Sequence, residues 1–184
     1  ASEFGLEEVQ IIASVAVDRK TPVAVSTLKA AEIELKLGTQ EFPEILKSTP
    51  GVYATKAGGG YGDGRINLRG FSSENVAVMI NGIPVNDMEN GRVYWSNWAG
   101  LGDVTSSMQV QRGLGASKVA VPSIGGTINV ITKTTDVEMG GKVFTSIAND
   151  GYEKLGLLYS TGVMDSGLAA TVSAARTTGN GYVD

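Results

Sequence analysis

Two glycine-rich stretches have the composition of phosphate-binding loops. Residues 58–64 read GGGYGDG, and residues 113–118 read GLGASK. A nucleotide-binding loop needs fixed glycine spacing and a helix directly after it, because the helix N-terminus binds the phosphate. The first stretch leads into a strand-like segment, and the second lacks the third glycine. Neither stretch predicts nucleotide binding.

A third stretch, residues 86–91 (NDMENG), has some of the oxygen ligands of a calcium loop. When Gly91 is aligned with the turn glycine of such a loop, Met88 occupies a ligand position, and no glutamate follows at the twelfth position. We therefore interpret the stretch as a solvated acidic loop and predict no metal site. The carboxylates Asp63, Asp87 and Glu89 remain the candidates for acid–base catalysis.

Composition argues against an enzyme. The chain of 184 residues contains no histidine and no cysteine. It therefore lacks the commonest general base, the thiolate nucleophile and the commonest metal ligands. A net charge of -4 and a pI near 4.9 argue against nucleic acid as a partner. No apolar run is long enough for a transmembrane helix, and we expect no cofactor.

Both tryptophans follow a predicted hairpin. Asn81-Gly82 between two apolar runs is the strongest local signal for a β-hairpin, because both turn residues need a positive φ. The loop after it carries Tyr94, Trp95 and Trp98. These aromatic residues either pack onto the core of their own domain or form a binding platform at an interface. The residues alone leave both interpretations open.

The elements that would carry these loops predict an α+β fold. Residues 38–48 predict a helix, with Thr39 able to cap it and Pro43 in its first turn. A helical turn capped near Asp103 is predicted before a strand. Short strands are predicted at residues 22–26, 52–55, 65–71, 76–85, 108–113 and 126–133. Together they form one small mixed-sheet domain.

After residue 135 the pattern changes to three longer strands, at 142–148, 155–163 and 168–177. In the second strand Leu155, Leu157 and Tyr159 share one face, and Gly156 and Ser160 share the other. Segments of about 10 residues in which apolar and polar residues alternate are typical of transmembrane β-barrel strands. The strands of a soluble β-meander show the same alternation.

Six motifs follow one another along the chain. They are PVAV (22–25), TPGV (49–52), INLRGF (66–71), NGIPV (81–85), VQRG (110–113) with Ala116 and Ser117, and GGTINVITK (125–133). This ordered series resembles the plug domain of TonB-dependent outer-membrane receptors. The style of the loop at 86–98 is similar to receptors of the Bacteroides group. Any one motif is weak, but six in order over most of the mixed-sheet domain form a specific pattern.

The resemblance implies a plug domain inside a barrel of about 22 strands. Residues 1–20 would be a tag remnant and a TonB-box-like segment, 21–135 the plug, and 136–184 the first strands of a transmembrane β-barrel. The implied function is gating and binding of a scarce nutrient (an iron chelate, corrinoid or glycan) for energy-coupled uptake across the bacterial outer membrane. The alternative is a secreted β-rich carbohydrate-binding or adhesin module.

The resemblance also implies three sets of site residues. The segment that would bind the periplasmic domain of TonB by strand addition comprises Glu8, Val9, Gln10, Ile11 and Ile12. The expected ligand-binding residues at the extracellular loops are Tyr61, Asp63, Ser72, Ser73, Asn86, Glu89, Tyr94, Trp95 and Trp98. Arg69 and Arg112 would pair with carboxylates of the barrel wall.

Overall fold

The computed structural model describes residues 24–56, 64–113, 122–133 and 137–180. These residues form two parts, which we call the mixed-sheet domain (24–133) and the C-terminal sheet (137–180). The mixed-sheet domain combines a sheet with short helices, and antiparallel strands follow it. The predicted α+β class is confirmed.

The mixed-sheet domain is built on five strands in the order β1-β6-β7-β4-β5. They are β1 (Ala24–Lys29), β4 (Val76–Ile80), β5 (Ile83–Pro84), β6 (Thr105–Arg112) and β7 (Gly126–Thr132). β4 and β7 run parallel, and the other pairs are antiparallel. A separate antiparallel pair consists of β2 (Val52–Lys56) and β3 (Gly64–Leu68). All seven strands overlap segments that the sequence predicts as strands.

The hydrophobic core lies on one face of the five-stranded sheet. Alternation along β6 and β7 places Met108, Val110, Ile128 and Val130 on this face, each with no measurable exposure. The helices and the β2–β3 pair supply the opposite side of the core, with Ile33, Phe42, Ile45, Leu46, Ile66, Leu68, Trp95 and Leu101. The loops at the ends of the sheet are therefore fixed to a packed scaffold.

The helix predicted over residues 38–48 is shorter and tighter than expected. The structure has a 3₁₀ helix at Phe42–Ser48, and Glu41 caps it in place of Thr39. The Glu44 carboxylate accepts a hydrogen bond from the Glu41 N–H at 3.0 Å, which forms half of a capping box. The Thr49 N–H donates to the Leu46 carbonyl, the i→i+3 pattern of 3₁₀ geometry. Thr49 itself has an extended conformation, so the helix ends there.

Burial raises the pKa of the Glu44 carboxyl, but other groups outweigh burial. Hydrogen bonds from the Lys47 side chain and the Glu41 N–H, and the charges of Lys47 and Lys56, hold the pKa of Glu44 below its usual value. The Glu44 side chain is 5% exposed, so the ionised form is buried and paired.

Two α-helices differ from expectation. α1 (Ala30–Leu37) directly follows β1 and is not predicted from the sequence. α2 (Leu101–Val104) begins after Gly100, which has a φ of +81°, so Asp103 lies inside the helix and does not cap it. Among the described residues, no helix combines the length and the apolar character that a membrane crossing needs.

The C-terminal sheet is an antiparallel meander of β8 (Gly140–Ile147), β9 (Glu153–Val163) and β10 (Ala169–Thr178). On β9, Leu155 and Leu157 are at least half exposed, whereas Gly156 and Ser160 are buried. The predicted alternation of the two faces is confirmed. Most of the large apolar residues point away from the mixed-sheet domain. The face that turns toward this domain carries Lys154 and Ser160, together with Phe144 and Leu158.

Candidate functional site

The turn before the aromatic loop has the predicted geometry. Asn81 and Gly82 have φ values of +51° and +81°, as a two-residue hairpin turn requires. The Asn81 side chain also makes two hydrogen bonds with Thr132 on β7. Its Nδ2 donates to the Thr132 hydroxyl at 2.8 Å, and its Oδ1 accepts from the Thr132 N–H at 2.9 Å. The hairpin is therefore fastened to the central sheet.

Asn86 anchors the loop of residues 86–98, which we call the aromatic loop. Its Oδ1 accepts a hydrogen bond from the Val78 N–H at 2.8 Å, and its Nδ2 donates to the carbonyls of Val76 at 2.9 Å and Gly91 at 2.8 Å. The amide is buried. The sequence nominates Asn86 as a ligand contact, but the structure uses its hydrogen-bonding groups to hold the loop against β4.

The acidic tip of the aromatic loop is organised by its own backbone. Asp87 Oδ1 accepts hydrogen bonds from the N–H groups of Glu89 at 2.9 Å and Asn90 at 3.0 Å. Asn90 Nδ2 donates to the Tyr94 hydroxyl at 2.8 Å. A carboxylate of this kind stabilises a turn, and Glu89 remains exposed at the tip.

The three aromatic residues have different environments. Trp95 is 4% exposed and packs against Phe42, with ring centroids 5.3 Å apart. Trp98 is partly buried against the same core, and Tyr94 is 47% exposed. The core interpretation therefore describes Trp95, whereas Trp98 and Tyr94 remain accessible to a second surface.

Trp98 lines a cavity of about 360 Å³ between the mixed-sheet domain and the C-terminal sheet. Its other lining residues include Asn97, Asp103, Tyr152, Lys154 and Ser173. Aromatic rings beside amide, hydroxyl and charged groups can bind a polar organic molecule through stacking and hydrogen bonds. We therefore take this cavity as the candidate site.

Trp95 also lines this cavity, whereas the other predicted ligand residues within the described ranges do not. Ser72 and Ser73 precede β4 and are half-buried, and the neighbouring Glu74 pairs with Arg92 of the aromatic loop at 3.4 Å. The Glu74 backbone N–H, the Ser72 hydroxyl and Arg92 lower the pKa of the Glu74 carboxyl. The segment at 72–74 and the aromatic loop thus form one surface.

Several predictions concern residues that the structure does not describe. Tyr61, Asp63 and the five residues at 8–12 lie outside the described ranges. Their nomination stays a prediction.

Arg69 and Arg112 lie beside each other near Gly51. A Cβ placed on Gly51 would be 3.2 Å from Arg112 Cδ and 3.7 Å from Arg69 Cγ. Arg112 Nη1 donates to Ser26 Oγ at 2.6 Å and to the Pro50 carbonyl at 3.1 Å. Within the described ranges neither guanidinium has a carboxylate partner at ion-pair distance.

Sequence reasoning missed the contact between Asp103 and Lys154. The Asp103 carboxylate lies 2.8 Å from Lys154 Nζ, and both side chains are largely buried. The two residues are 51 positions apart, and no local pattern connects them. Only the folded arrangement of the two sheets reveals this pair.

Known proteins that resemble the chain are receptors. A family model described as the TonB-dependent Receptor Plug Domain matches residues 17–127. A ferric enterobactin receptor of Pseudomonas aeruginosa is 27% identical over 154 residues, which cover 77% of this chain and 20% of the receptor. The vitamin B12 transporter BtuB of Vibrio cholerae serotype O1 is 30% identical over 149 residues, covering 78% of this chain and 24% of the transporter.

Solved structures agree with these relatives. The siderophore receptor PirA from Pseudomonas aeruginosa superposes with a TM-score of 0.60 at 26% identity, covering 85% of this chain and 29% of that one. The ferripyoverdine receptor of the outer membrane of the same species gives a TM-score of 0.67 at 20% identity, covering 89% of this chain and 21% of that one. At this identity the match supports the fold alone.

The chain spans about a fifth of the length of the first curated relatives that it matches. The family match covers more than half of the chain. The chain therefore belongs to the family of TonB-dependent receptor plug domains.

Proposed function

We propose that this chain is the plug and the first barrel strands of a TonB-dependent transporter in the bacterial outer membrane. The plug closes the barrel and helps to bind a scarce nutrient for energy-coupled uptake. The named relatives are receptors and transporters. The mechanism needs no covalent chemistry, since the plug acts by binding and by displacement.

The single observation that carries this proposal is the orientation of the C-terminal sheet. Its inner face, which carries Lys142 and Lys154 and also Phe144 and Leu158, turns toward the plug, and most of its large apolar residues point outward. The outward residues are Val143, Ile147, Leu155, Leu157, Tyr159, Val163, Leu168 and Val172, each at least 50% exposed. A barrel wall needs this arrangement, with a polar lumen and a lipid-facing exterior. A secreted binding module or adhesin would bury these side chains, so the alternative is not supported.

Energy coupling is assigned to the segment that comprises Glu8, Val9, Gln10, Ile11 and Ile12. It precedes the plug, and its acidic and apolar residues suit capture as an added strand, in which main-chain hydrogen bonds supply affinity. TonB would bind this segment from the periplasm, the side that the plug faces within the barrel lumen. Force on the segment would displace the plug or partly unfold it.

Ligand binding is assigned to Trp98 in the cavity and to the surface formed by residues 72–74 and the aromatic loop. Relatives of similar identity are named for ferric enterobactin and for vitamin B12, so identity does not choose between an iron chelate and a corrinoid. Loops of the surrounding barrel would complete the site.

Arg69 and Arg112 are assigned to plug–barrel contacts. Two neighbouring guanidiniums repel each other, and a carboxylate from a surrounding wall would neutralise them through bidentate hydrogen bonds. Arg112 ends β6, and both arginines lie near Gly51, so one wall carboxylate could reach both.

The proposal is tested in the complete receptor by deleting residues 24–133 in frame. If this domain closes a barrel, the deletion should make the outer membrane permeable to a hydrophilic antibiotic that is too large for general porins. The intact receptor at the same membrane level is the control. Unchanged permeability with normal insertion of the truncated receptor would contradict the proposal.

A further inference from the structure

Two ion pairs join the C-terminal sheet to the plug within the described part of the chain. Asp103 of α2 pairs with Lys154 of β9 at 2.8 Å, and Glu34 of α1 pairs with Lys142 of β8. The side chains of Asp103 and Lys154 are 7% and 12% exposed, whereas those of Glu34 and Lys142 are 60% and 49% exposed. The pairs therefore have the same chemistry in different environments.

Exposure decides what each pair contributes. An exposed pair gains little, because water and salt screen its charges. A buried pair is poorly screened, and removal of one partner leaves the other charge without compensation. The Asp103–Lys154 pair should therefore govern the contact between plug and sheet.

Lys154 is held in place from the strand side. Its ammonium group lies 5.3 Å from the centroid of the Phe144 ring, a distance at which the ring face attracts a cation. The Phe144 ring in turn lies over Gly156, where an added Cβ would come within 2.1 Å of the ring. The absence of a side chain at position 156 thus lets Phe144 lie flat beside Lys154.

Asp103 is held in place from the plug side. Lys133 Nζ donates a hydrogen bond to the Asp103 carbonyl at 3.3 Å. Asp103 Oδ2 is buried and has no hydrogen-bond partner among the residues that the structure describes. Lys154 is therefore the group that compensates the carboxylate, and withdrawal of the sheet would leave a buried, unpaired anion until water entered.

We propose that the Asp103–Lys154 ion pair holds the C-terminal sheet against the plug and sets the equilibrium between docked and separated states. The plug of the complete receptor would have to break this pair before it moves relative to the first barrel strands. Both partners of the pair belong to this chain, so its test is independent of the transport function proposed above.

A single thiol reports on the separated state. The chain has no cysteine, so Thr105→Cys introduces one unique reactive group. Thr105 is 1% exposed and lines a cavity of about 210 Å³ between α2 and the sheet, together with Phe144 and Leu158. In the 184-residue chain, held in detergent micelles, the rate of modification by a small water-soluble thiol reagent measures how often this junction opens.

Lys154→Met should raise the modification rate by roughly a hundredfold, as expected for one charge left unpaired in a buried site. Lys142→Met, the matched change at the exposed pair, should raise it by less than about threefold. The exchange of both charges, Asp103→Lys with Lys154→Asp, should restore part of the protection, because the two charges attract again but the Phe144 ring no longer attracts the group at 154. Amide exchange in β6 and β7, measured on each variant, verifies that the plug itself stays folded.

Equal rates for Lys154→Met and Lys142→Met would overturn the proposal. If Lys154→Met unfolds the whole chain, the charge exchange decides the matter. A folded exchange variant with slow modification supports the ion pair, whereas a folded variant with fast modification, or an unfolded one, overturns it.

Discussion

Trp95 packs against Phe42 in the plug core, with ring centroids 5.3 Å apart and ring planes inclined at 33°. Phe42 begins the 3₁₀ helix at Phe42–Ser48, and Trp95 begins the one at Trp95–Trp98. This contact joins the aromatic loop to the part of the domain that precedes β2. The loop is thus anchored at Asn86 by hydrogen bonds and at Trp95 by packing.

Replacement of Trp95 should destabilise the plug strongly. Trp95→Ala removes a side chain that is 4% exposed, and such a truncation costs about 3–5 kcal/mol. Tyr94→Ala, at a residue that is 47% exposed, should cost less than about 1 kcal/mol. Urea unfolding followed by circular dichroism measures both values, and equal losses would contradict the assignment of Trp95 to the core.

Gly126 should tolerate no side chain. Its φ is +139°, and an added Cβ would lie 2.2 Å from the Gln111 carbonyl oxygen of the adjacent strand. Gly126→Ala should therefore lower the free energy of unfolding by at least about 2 kcal/mol, from backbone strain and overlap together. Gly140→Ala, where nothing lies within 4 Å, is the control and should change it by less than about 0.5 kcal/mol.

Glu44 should stabilise the plug in a pH-dependent way. Its pKa is below the usual value in the folded chain, so its contribution is present above pH 4.5, the ordinary pKa of glutamate, and is lost as the pH falls through the folded-state pKa. The stability difference between the native chain and Glu44→Gln should be largest at neutral pH and should shrink in acid. Glu89→Gln, at an exposed position, is the control. A difference that does not change with pH would contradict this role.

Trp98 should contribute to cargo binding in the complete receptor. A central aromatic contact typically contributes about 2 kcal/mol, or roughly a thirtyfold change in affinity. Trp98→Ala is compared with Met88→Ala, a fully exposed residue of the same loop, for binding of ferric enterobactin and of vitamin B12. One of the two compounds is expected to bind the native receptor. If the Trp98→Ala variant binds that compound equally well, the cavity has a structural role and does not bind cargo.

Local signals explain which elements the sequence predicts well. Asn81-Gly82 specifies its turn through backbone conformation, and the alternation along β9 specifies its two faces. The sequence carries no helical pattern at α1, since Ile33, Leu35 and Leu37 alternate. In the helix, Ile33 is buried and Leu35 is 85% exposed, so the alternation does not reflect burial.

The candidate site was only partly predictable, because its contacts are long-range. The sequence singles out the aromatic loop, but it cannot tell that Trp95 enters the core while Trp98 faces a cavity. The choice depends on Phe42, which lies more than fifty positions earlier in the sequence. The Asp103–Lys154 pair depends in the same way on how the C-terminal sheet packs against the plug. The sequence around Asp103 and the sequence around Lys154 do not contain this information.

Binding of the TonB periplasmic domain to this chain tests the central claim most directly. We expect the native chain to bind in a calorimetric titration, and Ile11→Pro to abolish binding, because proline removes a main-chain donor and restricts φ within the added strand. Ser2→Pro, outside the segment at 8–12, should bind like the native chain. Absence of binding by the native chain, or equal binding by Ile11→Pro, would contradict the account.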